Sequence, residues 1–218
     1  MFIDQSFSLE KLPEFSTFIT AVLNENDELR VKSSDFTEAP MAEIHSFRKK
    51  QYLERRLDYL CELSTEEKGC EYCIDERSQH FWIEHNSEIV GSMQATPYPF
   101  ELIGLGEYFS DLADAYQKHI EFGRFVIQAE SKHRILTRKL LASAFIYATQ
   151  QYLGVIAACR TPQKRLFERF GLHAINQIPI ILPERQNGAY WMLEGNCDDM
   201  CHAILKRDTV QKTELILT

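Results

Sequence analysis

The 218-residue chain is 44% hydrophobic and 26% charged, with nine glycines and seven prolines, a composition that excludes disordered, collagen-like and repeat classes and fits one globular domain. Its formal charge of −8, from 24 basic and 32 acidic side chains, opposes nonspecific binding to nucleic acid or anionic lipid except where basic residues cluster. No stretch approaches the ~20 apolar residues of a membrane span and MFIDQSFSLEKLPEF lacks a basic-then-apolar leader, so a soluble, cytoplasmic protein with Cys61, Cys70, Cys73, Cys159, Cys197 and Cys201 as reduced thiols is expected.

Ser8 predicts the cap of a helix over about 9–23, where Leu12, Phe15, Ile19 and Val22 recur at helical spacing. This makes residues 1–30 a helical extension ahead of a domain at 31–218. A short strand at 29–31 precedes a long helix marked by Met41, Ile44, Phe47, Leu53, Leu57 and Leu60, and the polar stretch 64–77 reads as a loop. HFWIEH and EIVGSMQAT, joined at Asn86-Ser87, read as a β-hairpin. Residues 97–118 are irregular. HIEFGRFVI (119–127) is the strongest strand by composition, and the helix after it carries Leu136, Leu140, Ala144 and Tyr147 on one stripe. GVIAAC is a buried-type strand, and PQKRLFERF is a short basic helix with Thr161 as cap and Pro162 at its first position. GLHAINQIPIIL and AYWMLEG supply further strands, and a closing helix spans 198–206. The order implies a single-domain, three-layer α/β fold with a mixed sheet.

Residues 121–127 read Glu-x-x-Arg-Phe-x-Ile, and the segment 120–172 that they open resembles the cofactor-binding half of the GNAT acyltransferase superfamily, in particular its autoinducer synthase and N-acyl amino acid synthase branch. Upstream, Arg48 and Tyr52 match that branch's Arg-x-x-x-aromatic on the first long helix, and Asp75 matches a carboxylate shortly before the hairpin. The resemblance, spanning about residues 40–175, implies an αβα fold whose central sheet splays after the 119–127 strand. It implies that Phe125, Val126 and Ile127 offer backbone groups to a pantetheine arm, and that the turn Lys132, His133, Arg134, Ile135, Leu136 and Thr137 receives its phosphate at a helix N-terminus. The acyl chain would lie between the splayed strands near Ala157 and Ala158.

The same comparison shows departures. Ile135 and Thr137 fill the small positions of the usual phosphate loop, Phe167 stands where a general-acid tyrosine is frequent, and Gln94 replaces the third-strand arginine of autoinducer synthases. Asp75 has Tyr72, not an acid, three residues earlier. An amino acid or small amine is therefore the expected acceptor class rather than S-adenosylmethionine.

Between Ser131 and Phe170, Lys132, Arg134, Arg138, Lys139, Arg160, Lys164, Arg165 and Arg169 face the single acid Glu168. This basic 132–169 face suits an acidic acyl carrier protein or the phosphates of acyl-coenzyme A, and the alternative is a solvated helix pair. Glu121 is the candidate proton acceptor for the amine. Strand alternation places Arg124 on the opposite face unless a bulge at Gly123 intervenes, and Arg124 would anchor a substrate carboxylate or neighbouring structure. The alternative for this pair is ordinary strand ion pairing. Cys70, Cys73, Cys197, Cys201 and His202 could form a zinc site, but unliganded thiols and no metal are expected, and His80, His85 and His173 read as structural. The function expected is transfer of an acyl group, fatty rather than acetyl, from a phosphopantetheine thioester to an amine. An acetyl-coenzyme A N-acetyltransferase and a noncatalytic ligand- or partner-binding domain of the same fold are the alternatives.

Overall fold

Asn86 (φ 52°) and Ser87 (φ 66°) both adopt left-handed backbone, the paired positive φ that joins two strands whose twist a tight hairpin must follow. The computed structural model describes residues 13–24, 28–55, 74–102, 114–128 and 133–203. Within them lie α1 (Pro13–Asn24), β1 (Arg30–Ser34), α2 (Met41–Glu54), β2 (Gln79–His85), β3 (Glu88–Pro97) and β4 (His119–Ile127). There follow α3 (His133–Gln151), β5 (Gly154–Arg160), α4 (Thr161–Glu168), β6 (His173–Ala174), β7 (Ile180–Leu182) and β8 (Gly188–Asn196), with helix α5 from 197 to 203.

The strands form one mixed sheet in the order β1-β2-β3-β4-β5-β8-β6, with β7 also on β8. β1 through β4 pair antiparallel. β4 and β5 pair in parallel only over His119–Glu121 against Gly154–Ile156, after which β5 continues along β8 to Arg160. The sheet therefore opens after Glu121. Gly154 sits where three strands crowd, since a Cβ there would stand 2.4 Å from the Gly195 carbonyl oxygen and 2.7 Å from the His119 ring.

One sheet face carries the main core: Phe81, Ile83, Met93, Ile120, Phe122, Val155 and Leu193 pack with Leu136, Leu140 and Ala144 of α3, with Ile19 and Val22 of α1, and with Phe167 of α4. Buried Lys139 of α3 donates to the carbonyls of Leu23 (2.7 Å) and Leu29 (2.9 Å), tying the N-terminal helix to the long one. The opposite face carries α2 and a second cluster of Phe100, Leu102, Ile156, Leu182, Tyr190 and Met192.

Several elements depart from the sequence reading. The buried stripe of α2 is Ile44, Phe47, Arg48 and Gln51, at the helical spacing of one face, so Leu53 falls outside it and is 50% exposed. α4 begins one residue early, with extended Arg160 as its cap, while the Thr161 hydroxyl instead accepts the Trp191 indole N–H at 3.1 Å. The run from 173 to 182 is two strands rather than one. Asn176 spends its side chain on the Met192 N–H and the Ile178 carbonyl, and Pro179 has no N–H for a ladder. Residues 1–12, 25–27, 56–73, 103–113, 129–132 and 204–218, among them Ser8, Cys61, Cys70 and Cys73, lie outside the described residues.

Candidate active site

The pairing of β3 with β4 slips between Ser92↔Val126 and Gln94↔Gly123, so β4 holds an extra residue there. Arg124 takes it up with φ 47°, left-handed backbone that costs a non-glycine residue roughly 1–2 kcal/mol. The bulge overrides strict alternation. It brings the Arg124 guanidinium to the carboxylate of Glu101, to which Nε donates at 3.2 and 3.3 Å and Nη2 at 3.1 Å.

Glu101 in turn connects to Glu121. The backbone N–H groups of Glu101 (2.6 Å) and Leu102 (3.3 Å) both donate to Glu121 Oε2, leaving Oε1 as the oxygen available to a substrate proton. Glu121 is 4% exposed. Burial and the neighbouring Glu101 carboxylate push its pKa up to about 8, against the pull of the two N–H donors and of Arg185. A carboxyl poised near neutrality can accept and return a proton at physiological pH.

Asp75, on a helical turn before β2, is 2% exposed. His45 contacts its Oδ2 at 2.9 Å, and Arg124 Nη1 lies 3.7 Å from Oδ1. Burial raises the Asp75 pKa, but His45, Arg124 and Arg48 more than offset this and hold it below the ordinary value. His80 is buried against the Asp75 backbone carbonyl (3.0 Å), and burial drives its pKa down to about 4, so it is a neutral structural ring at pH 7.

Arg48 enters the same face from α2, donating from Nε to Ser92 Oγ (3.1 Å) and from Nη1 to Gln94 Oε1 (3.4 Å). Gln94 gives its amide N–H groups to Ser78 Oγ and Thr96 Oγ1. Gln94 is fully buried and hydrogen-bonded through both amide atoms, so it braces Arg48 against the β2–β3 hydroxyls. Tyr52, one turn along α2, is half-buried, and burial raises its pKa while the charges of Arg48, Arg124 and Arg185 oppose.

The predicted donor residues divide. Phe125 to Ile127 lie beyond the last β4–β5 pair, on the strand that borders the splay. The Ile127 carbonyl there accepts a hydrogen bond from Arg55. Phe125 also packs edge-on against Phe167, ring centroids 6.3 Å apart. α3 starts at His133, with Arg134 exposed and Ile135 half-buried. Leu136 belongs to the core, and Thr137 is buried with an unpartnered hydroxyl. Lys132 lies outside the described residues. Ala157 and Ala158 are not brought together, because Ala157 is sealed in the core on the α3 face. Ala158 is half-buried and alternates onto the face of Ile156, the side of Leu102 and Glu121.

Sequence reasoning missed Glu101, His45, Ser92 and Arg185. The one signal for Glu101 was an acid at the end of the strand-breaking Pro97-Tyr98-Pro99 run. Nothing in the spacing connects the other three to the 119–127 strand. Lys139, counted with the basic face, is buried and withdrawn from it. Cys159, Cys197 and Cys201 are buried free thiols, and no group of three metal-ligating side chains occurs among the described residues. No helix among them is long and apolar enough to cross a membrane.

A search of the curated proteins finds no match. Solved structures do resemble the chain. TofI, crystallised in a ternary complex with an inhibitor and MTA, shares 20% identity over 81% of this chain and 96% of its own at a TM-score of 0.57. LasI, an AHL synthase, shares 12% over 81% and 94% at 0.56. FeeM, an N-acyl amino acid synthase from uncultured soil microbes, shares 12% over 78% and 94% at 0.56. At these identities the likeness establishes the fold, the splayed αβα architecture expected from the 121–127 motif. The acetyltransferase (GNAT) family profile matches residues 41–172, from the start of α2 to just past α4, and the chain belongs to that family.

Proposed function

We propose that the protein is an N-acyltransferase that moves an acyl group, fatty rather than acetyl, from a phosphopantetheine thioester to the amine of an amino acid or small amine. The observation that carries this reading is the opening of the sheet at Glu121. Pairing with β5 stops at the residue whose carboxyl is raised to about 8, so the thioester groove and the proton acceptor share one point. The bordering strand Phe125–Ile127 would align the pantetheine arm as a pseudo-strand.

In the reaction, the ammonium of the acceptor gives a proton to ionised Glu121, directly or through water. The free amine attacks the thioester carbonyl, the C–N bond forms and the C–S bond breaks. The thiolate then takes the proton held on Glu121, while the second proton, shed by the nitrogen after the C–N bond forms, passes to water, which leaves Glu121 ionised again. Phe167, in the core and without a hydroxyl, has no part in that step. An acyl carrier protein is proposed as donor alongside acyl-coenzyme A, docking on Arg134, Arg165 and Arg169, which are exposed on α3 and the end of α4.

The likeness to AHL and N-acyl amino acid synthases supports a fatty donor, and the bulk of Ile135 disfavours the close backbone approach that a coenzyme A pyrophosphate uses. The test is thiol release from long-chain and acetyl thioesters with a panel of amines. Glu121→Gln should lower kcat by about 10²–10⁴ with thioester binding retained, and unchanged turnover would remove the proton-transfer role.

A further inference from the structure

The backbone segment that grips Glu121 has no place in the sheet. β3 ends at Pro97, paired with Ile120, and residues 98–102 leave the ladder. Yet the N–H groups of Glu101 and Leu102 stand where Glu121 Oε2 accepts both, at 2.6 and 3.3 Å. A segment outside a sheet keeps such a geometry only when other groups hold it and satisfy its remaining polar atoms.

Three anchors do so. Phe100 and Leu102 are 3% and 1% exposed and pack with Ile156 and Met192. Arg77, half-buried just after the helical turn 74–76, donates from Nη1 to the Pro97 carbonyl at 3.1 Å and from Nη2 to the Pro99 carbonyl. Arg124 takes the far end, through its bonds from Nε and Nη2 to the Glu101 carboxylate. The helical turn ties the two arginines together. Its Asp75 lies 3.7 Å from Arg124 Nη1 and is fixed on its other oxygen by His45 of α2 at 2.9 Å. Ser78 closes the turn, giving its N–H to the Asp75 carbonyl at 3.1 Å and its hydroxyl to the Ile74 carbonyl at 2.6 Å. Arg77 therefore projects from a braced turn whose buried carboxylate also faces the second arginine. A guanidinium fork reaches two acceptors at fixed spacing, where an ammonium offers a single point of contact.

We infer that Arg77 and Arg124 are positioning residues for proton transfer: they clamp the 97–102 segment at its two ends, so that its N–H groups meet one oxygen of Glu121 and leave Oε1 for the substrate proton. Asp75 supports that clamp and is not a substrate contact. The inference rests on the acyltransferase reading for what Glu121 does, but not for how Glu121 is held. Hydrogen bonds to an ionised carboxylate favour that form, so a loosened segment makes Glu121 ionise at higher pH. Glu101 on the segment and Arg185 on the turn before β8 act on Glu121 by charge, and Arg124 on β4 reaches it through Glu101. α2 brings Arg48 and Tyr52 to the same sheet face, and β5 sets apolar Ile156 opposite Glu121. All of these stay in place when Arg77 is replaced, so a moved titration reports the N–H donors.

The test reads Glu121 itself. Carbon NMR of isotope-labelled glutamate follows its carboxyl, with Glu121→Gln assigning the resonance, while kcat and KM are measured against pH with a long-chain thioester and a panel of amines. Arg77→Met should move the titration and the rate profile together to higher pH by roughly half to one unit, lowering kcat at neutral pH about three- to tenfold with both KM values unchanged. Arg77→Lys, which keeps the charge and one contact, should recover part of the loss. Arg124→Lys provides a second variant at the other end of the segment and should shift the titration the same way. Glu101→Gln should shift it in the opposite direction, because the amide oxygen still accepts from Arg124 while the negative charge is gone. A Glu121 titration unmoved in both arginine variants would overturn the proposal, as would a loss confined to KM for the amine, which would make the arginines substrate contacts. If the titration moves as expected but the wild-type protein consumes no thioester, the acyltransferase reading fails and the clamp stands. If thioester is consumed through Glu121 while the titration stays in place, the reading stands and the clamp fails.

Discussion

Glu121 occupies a position where burial, a second carboxylate and two N–H donors act on one titration. Burial and Glu101 raise its pKa to about 8 while the donors lower it, so the ionised fraction grows across the physiological range. The rate of acyl transfer should therefore rise with pH to a plateau above about 8. Glu101→Gln removes the nearby negative charge and should move that rise to lower pH, and an unmoved profile would show that another group titrates.

The same shift affects stability. A carboxyl whose folded pKa lies above its unfolded value holds a proton longer in the native state, so its contribution is complete below the unfolded pKa and is lost as pH climbs through about 8. His80, held down to about 4, acts in the opposite direction but only below the unfolded histidine value near 6.5. Between pH 6.5 and 8 the urea midpoint should accordingly fall, by the equivalent of roughly 1–2 kcal/mol. Glu121→Gln should flatten that decline, which a denaturation series at half-unit pH steps would measure.

At the scale of elements, the strands were legible because β-branched and aromatic runs mark them: His119–Ile127 matches the segment read from composition. What composition could not reveal was the bulge. Period-two alternation puts Arg124 on the core face, and only the slip against β3 turns it toward Glu101, a consequence of pairing between strands rather than of either strand alone. The α2 stripe shows the same limit. Apolar periodicity pointed to Leu53, whereas tertiary packing buries Arg48 and Gln51, polar residues that a hydrophobic pattern counts against burial. Ala157 and Ala158 looked equivalent as small residues, yet the pleat sends one into the core and the other toward the site. Ala158→Trp should consequently reduce transfer of long acyl chains by about tenfold or more while sparing acetyl transfer. Equal activity with both donors would mean that the chain lies elsewhere.

Across the whole molecule, the two sheet faces divide the work. α1, α3, α4 and α5 cover one face and bury the main core, with Lys139 fastening the end of α1 and the start of β1 through the Leu23 and Leu29 carbonyls. The other face carries α2 and the charged site, whose members come from positions 45 to 185 in sequence and meet only through the topology. The motif at 121–127 was readable because its residues are contiguous. Glu101, His45 and Arg185 were not, because their proximity depends on the segment after β3, the depth of α2 and the β7–β8 turn. Donor choice is decided by native mass spectrometry of the protein mixed in turn with acetyl-coenzyme A, a long-chain acyl-coenzyme A and acyl-loaded carrier protein. A long-chain thioester or the loaded carrier should bind saturably, with acetyl-coenzyme A much weaker, whereas binding of none of the three would mean that the sheet opening is not a thioester site.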